Sequence, residues 1–405
     1  MFEQKIFDDF NESQKFDVFK RLKNYIEKNE YRGWDPYDGL KSNIFDASFF
    51  SNIEFFRILW TQFIKRFPIN LRDVLKIDKD YNPKSLALVL HGYCNVYNIK
   101  NLFSNDEKNK IKESIKFLTN KLLQLKNHQY SGACWGYEFD WNSKAFFLPK
   151  HTPTVVCTTF VLDALVKAYT IIKSEELKKC IISVGDFITK DLNKIKKSNN
   201  SFVLSYSPID HRAVYNASLL GAKSLALINK LNEKSEHNDF AHSIVEAACK
   251  MQLETGAFIH SDQVGIKWRD NFHTGFKLEC LSIYQNIFED YTFDKNLKLG
   301  FNYWINNFFL DDGTPKYYDN DVFPIDLHTV GQMVPTIYHF GKMDKYKNKL
   351  DKTIDWSIKN MFDKENGFFY FQKTKFYTNK IDFMRWPNAW MFYGLSFYFK
   401  FLSEK

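Results

Sequence analysis

One recurring pattern constrains this chain more than anything else: short clusters of polar and aromatic residues run straight into helix-length stretches that are apolar nearly all round. Trp268-Arg269-Asp270-Asn271-Phe272-His273-Thr274-Gly275-Phe276 leads into Leu278, Cys280, Leu281, Ile283, Tyr284 and Ile287. The same happens where His151-Thr152-Pro153-Thr154 precedes Val155, where Tyr215-Asn216 precedes Leu219, where Asp326-Leu327-His328-Thr329 precedes Val330, and where Arg385-Trp386-Pro387-Asn388 precedes Trp390. Asn216, His273, His328 and Asn388 recur 55 to 60 residues apart, the period of a repeated helical hairpin. At each entrance a short side-chain oxygen is suited to accept a first-turn N–H that has no intrahelical partner, so Asp270 or Asn271 caps its helix and His273 falls in the first turn.

Between the apolar helices lie stretches with a single apolar stripe. Ile111, Ile115, Leu118, Leu122 and Leu125 line one face of a Lys-rich segment, and Leu350, Ile354, Ile358 and Met361 line another; both are the signature of a surface helix. Glycine turns followed by aromatic residues, as at Gly132, Gly256, Gly313 and Gly367, predict short β-hairpins at the rim. Outer helices that alternate with inner helices buried on all sides imply a closed double ring, an all-α (α/α)6 toroid spanning residues 1–405 as a single domain. An open solenoid would leave the inner helices amphipathic. The expected inner helices are 84–97, 154–170, 216–231, 273–288, 327–340 and 388–402.

Charge and cysteine usage narrow the partners. The formal charge of +8 comes mainly from lysine scattered over outer segments, with no basic stripe interleaved with stacking aromatics, so nucleic acid is not an expected ligand. Six widely spaced cysteines read as buried free thiols, no stretch of about 18 uncharged apolar residues spans a membrane, and Met1-Phe2-Glu3-Gln4-Lys5 does not open a signal peptide; the expected location is the cytoplasm. No spacing demands a cofactor or a metal. A zinc set of Asp270, Cys280 and His328 has no diagnostic spacing behind it.

Gly136-Tyr137-Glu138-Phe139-Asp140-Trp141, Thr152-Pro153-Thr154-Val155-Val156, Asp270 to Phe276, Pro324-Ile325-Asp326-Leu327-His328 and Met384 to Met391 together resemble a bacterial family of helical-toroid proteins associated with surface-polysaccharide biosynthesis. More distantly, the chain is similar to six-hairpin glycosidases, polysaccharide lyases and sugar epimerases. Gln252-Leu253-Glu254-Thr255-Gly256-Ala257-Phe258 resembles one copy of the repeat of triterpene cyclases, but the D-x-D-D and D-D-x-x-D acids of terpenoid toroids are absent. The resemblance implies a carbohydrate-active protein and carries no catalytic assignment of its own.

The entrance residues supply the parts for sugar chemistry. Trp268, Trp386, Trp141, Tyr137 and Tyr206 offer flat faces for the C–H side of a pyranose, while Arg269, Asn271, Asp140, Asn216 and Arg385 can fix hydroxyls or an acid group. Two reactions fit. Glycoside hydrolysis needs a carboxylate pair, here Asp270 with Asp326; lyase or epimerase chemistry needs a base, His273 or His328, with Arg385 holding an acid group. The expected ligand is a saccharide or polysaccharide, anionic or heavily hydroxylated. A non-catalytic glycan-binding or scaffold protein is the alternative, with an isoprenoid-binding toroid behind it. Each acid and histidine also has a plainer reading as a cap or a satisfied first-turn residue.

Overall fold

The computed structural model describes residues 10–142, 147–260 and 268–405. Its helices are α1 (Glu12–Lys28), α2 (Asn43–Asp46), α3 (Glu54–Arg66), α4 (Pro83–Tyr97), α5 (Asn105–Gln124), α6 (Val155–Ile172), α7 (Glu175–Asp186), α8 (Tyr215–Asn232), α9 (Asn238–Lys250), α10 (Asn271–Phe288), α11 (Asp294–Asn307), α12 (His328–His339), α13 (Met343–Met361) and α14 (Ala389–Ser403). The even-numbered helices α4 to α14 form an inner ring: each packs on the next, and α14 returns to α4. Outside them, α5, α7, α9, α11 and α13 each pack on the inner helix before them, and α1 packs on α14, so the first and last helices meet across the closure. The inner helices fall within two residues of the expected segments at each end.

Local chemistry sets these boundaries. Asn82 caps α4 by accepting the N–H groups of Lys84 and Ser85 at 3.1 and 3.2 Å, with Pro83 in the first position, where its missing N–H costs nothing. Thr154 caps α6 and Asp270 caps α10 in the same manner. Three inner helices end on a left-handed residue at the turn into their outer partners: Lys173, Glu233 and Glu289, with φ of 55°, 54° and 54°. This repeated backbone device confirms the hairpin period. Rim hairpins occur as expected, including Phe362–Asp363 paired with Phe368–Phe369, and an isolated bridge joins Gln252 to Phe258. In that last turn, Gln252 donates to the carbonyls of Gly256 and Asn296, so the cyclase-like stretch acts as a clasp between loop and outer helix.

The inner helices are not wholly apolar, and here the structure departs from expectation. Two turns below their entrances, Lys223 on α8 lies 2.9 Å from Asp163 on α6 and 3.2 Å from Glu279 on α10, and Gln332 on α12 donates to Glu279 at 2.7 Å. Burial alone would discharge Lys223, but the two carboxylates outweigh it and hold the ammonium above its ordinary range. Asp163, Lys223 and Glu279 each sit eight residues into their helix, about 12 Å below its first residue at 1.5 Å per residue. Helix α6 is long and apolar enough by composition to cross a membrane, yet 67% of it is buried, as suits a wall of the ring.

Breaking a buried ion pair on one side strands its partners in a low-dielectric interior. Lys223→Met, which leaves both carboxylates unpaired, should therefore lower the unfolding free energy by about 3 to 5 kcal/mol, read from urea denaturation midpoints at constant slope. A loss below about 1 kcal/mol would show that the seam does not hold the ring.

Candidate active site

A cavity of about 450 Å³ opens at the end of the ring where the inner helices begin. Each inner helix lends it a residue from, or just before, its first turns: Lys84, Val156, Asn216, Asp270 with Phe272, His273 and Phe276, His328, and Arg385 with Trp386. This gathers six helix N-termini, with their positive dipole ends, around one space. Phe276 lines its inner end and packs with Phe160 and Trp390 behind it, centroids 5.3 to 5.5 Å apart, to make a three-ring floor layer. These rings separate the cavity from the ionic seam below.

Asp270 serves two purposes from one position. Its Oδ1 caps α10 by accepting the N–H of His273 at 2.9 Å, and its Oδ2 lies 2.6 Å from Nδ1 of the same histidine. An ionised carboxylate only accepts, so Nδ1 carries the proton and Nε2 is left as the acceptor, without a hydrogen-bond partner among the described residues. His260 packs 4.9 Å from His273 and 4.0 Å from Trp268, and burial holds it well below the usual histidine range. His328 lies between Phe272 and Trp390, both at 4.1 Å. Burial keeps it neutral, and neither of its ring nitrogens has a partner among the described residues. Three histidines, one of them oriented by a carboxylate, thus face one cavity.

Of the residues expected at the site, Trp268, Asp270, His273, His328, Arg385, Trp386, Trp141, Tyr137, Tyr206 and Asn216 line the cavity. Four do not. Arg269 turns to Asp319, Asn271 holds the indole of Trp304 and the carbonyls of Phe308 and Lys316, and Asp140 accepts the N–H of Lys150. Asp326 is the main correction: it lies behind the wall, fully buried, accepting the N–H of His328 at 2.9 Å, the amide of Gln372 and the indole N–H of Trp386. It positions two cavity residues and touches nothing in the cavity. The Arg385 fork is likewise occupied, since Asp35 takes both Nε and Nη2, the latter at 2.8 Å. The carboxylates of the loop around Asp35 and Asp38 are therefore structural, Asp38 holding Arg72, while Tyr37 between them lines the cavity. Sequence reasoning did not single out Lys84, His260, Tyr317 or Tyr318. Among the described residues, no group of three His, Cys, Asp or Glu side chains could hold a metal ion, and Cys280 packs instead near Lys223 and Glu279.

No family model matches the chain, and no curated protein matches it by sequence. Solved structures do. A cellobiose 2-epimerase from Bacillus thermoamylovorans is 11% identical, with a TM-score of 0.62, over 81% of this chain and 90% of that one. An unsaturated glucuronyl hydrolase specific for heparin is 10% identical, with a TM-score of 0.62, over 97% and 98%. A family 76 glycoside hydrolase from a bovine Bacteroides thetaiotaomicron strain is 9% identical, with a TM-score of 0.63, over 95% and 78%. The chain has the six-hairpin (α/α)6 toroid fold. At these identities the likeness is one of architecture, and chemistry must be argued from the cavity.

Burial holds the Asp326 carboxyl at about 6, against the three N–H donors that favour its charge. A carboxyl raised above its unfolded value of about 3.9 binds more protons folded than unfolded between those two values, so stability falls as pH rises from about 4 to 6. The drop attributable to Asp326 is about 3 kcal/mol. Asp326→Asn should remove that slope from the difference between the two stability–pH curves measured by denaturant titration. Parallel curves would place the ionisation elsewhere.

Proposed function

We propose that the protein is a carbohydrate-active enzyme of the epimerase or isomerase class, moving a proton at a carbon next to a sugar carbonyl. The observation that carries this reading is the Asp270–His273 pair facing the cavity together with two neutral histidines. His273 Nε2 is the base, with Asp270 holding the ring and stabilising the imidazolium that forms. His328 or His260 serves as the second proton carrier, returning the proton or donating to the carbonyl oxygen as negative charge develops there. The aromatic wall of Trp141, Trp386, Tyr137 and Tyr206 packs the apolar side of the ring.

Glycoside hydrolysis has less support. Its reaction needs a second carboxylate, and the only other lining acid among the described residues is Asp210. That side chain is consumed by a turn, with Oδ2 accepting the N–H and hydroxyl of Ser207 and Oδ1 the N–H of Arg212. An isoprenoid funnel fits less well, since charged and imidazole groups interrupt the rings. The resemblance noted in the sequence supports a place in bacterial surface-glycan metabolism, and six buried free thiols are in keeping with a cytoplasmic enzyme.

Incubation of aldoses and reducing disaccharides in D2O, followed by NMR, tests the reaction through deuterium entry at C2. His273→Asn should slow exchange by about 10²- to 10⁴-fold, the usual contribution of a positioned base. Asp270→Asn keeps a competent helix cap but loses the charge, so it should slow exchange with little loss of stability. Release of new reducing ends without exchange would favour hydrolysis, and saccharide binding with neither reaction would favour a scaffold.

A further inference from the structure

Lys84 stands in the first turn of α4 with its side chain 3% exposed, and it lines the cavity. Its Nζ rests on the three-ring floor, 4.3 Å from the Phe160 centroid, 5.2 Å from Trp390 and 5.4 Å from Phe276. Among the described residues it has no hydrogen bond and no ion pair. Among the described residues every other cation this deeply buried is matched: Lys223 by two carboxylates, Arg72 by Asp38, Arg385 by Asp35, Lys15 by Asp351 and Asp355, and Lys277 by the carbonyl of Ile259. A buried amine with three unused hydrogen-bonding positions on an apolar floor is costly unless something completes it. His328, packed against two of the same floor rings, is a second unpartnered group, with Asn216 Oδ1, His260 Nδ1 and Trp390 Nε1 also without partners among the described residues.

We propose that Lys84 is the receptor for a carboxylate on the saccharide, taking up a proton as the ligand binds, with His328 donating to the second carboxylate oxygen. The proposal rests on the saccharide reading of the cavity and names the class: acidic sugars of the uronate type. The balance is simple. The free amine, one proton from solvent and the carboxylate become an ammonium–carboxylate pair, and no bond to carbon forms or breaks. Burial, then the Arg385 guanidinium, push the Lys84 ammonium well below its ordinary range, which favours the free amine in the empty site. The other ionisable groups that act on it are Cys157 on α6, Asp35, already engaged by Arg385, and His328 on α12. A ligand carboxylate adds the missing negative charge at contact distance and reverses the balance. Lys84 and His328, which share the Phe276 and Trp390 rings, supply one donor for each oxygen of a singly charged carboxylate. A phosphate dianion would need more, and the Arg385 fork is filled.

Calorimetric titration with D-glucuronate and D-galacturonate, beside glucose and galactose, in two buffers of different ionisation enthalpy at pH 8, tests this. Uronates should bind at least 100-fold more tightly than the neutral sugars and take up about one proton per site. Lys84→Met, which suits the apolar floor, should abolish both the preference and the uptake. Lys84→Arg, charged throughout, should keep part of the preference without the uptake. Neutral sugars binding as tightly as uronates would overturn the proposal while leaving the saccharide reading standing, and binding of neither class would overturn both. Equal affinity for a sulfated monosaccharide, or uronate binding with unchanged proton uptake in Lys84→Met, would also count against it.

Discussion

The ring depends on one buried ammonium. Lys223 bridges carboxylates from the two inner helices that flank its own, and Gln332 carries the connection to a fourth. Six helices packed only through apolar side chains could slide or rotate by a turn at modest cost, because hydrophobic contact is non-directional. An ion pair with two acceptors on different helices fixes their relative height, since a slip of one residue would strand a charge. With the seam fixed about two turns down, the first turns of the helices are level with one another, and that alignment makes a cavity instead of a staggered rim.

Close backbone approach reinforces this register. At Gly331 an added Cβ would lie 2.5 Å from the carbonyl oxygen of Trp390, so α12 and α14 meet at a distance that only glycine permits. That contact brings the His328 ring against Trp390 and places both at the cavity floor. On the far side of the mouth, Asp35 reaches Arg385 across 350 positions of sequence, tying the segment that precedes α4 to the turn before α14. The rim closes through this pair just as the core closes through Lys223.

The architecture was legible because burial on every side and burial on one stripe leave different periodicities, and these alternate through the chain. The floor of the site was not. Pro83-Lys84-Ser85 reads as an ordinary helix start, and a first-turn lysine on a surface helix is unremarkable. The available signal was that Lys84 opens a helix otherwise apolar all round, where a cation also opposes the dipole. Asp326 was misjudged by analogy with Asp270, though the spacings differ. Asp270 accepts the N–H of the residue three along, whereas Asp326 accepts that of the residue two along, from a short strand paired with Gln372. That change of one residue turns the carboxylate behind the wall. The occupation of the Arg385 fork was illegible in principle, since nothing local marks Asp35 as its partner.

The distribution of charge around the cavity follows from these constraints. Among the described residues, Asp270 is the one lining carboxylate not spent on a turn, and half of it is spent on a cap. Against it stand six helix N-termini, Lys84, and guanidinium charge only partly offset by Asp35. Were Lys84 charged in the empty enzyme, the positive potential would have no internal answer on a dry aromatic floor, so the proton is left in solvent until an anion arrives. Neutral His260 and His328 fit the same logic, because imidazolium beside imidazolium and guanidinium would be repelled. Of the three histidines that face the cavity, His273 is the one held by a carboxylate, which would stabilise an imidazolium formed there during proton transfer.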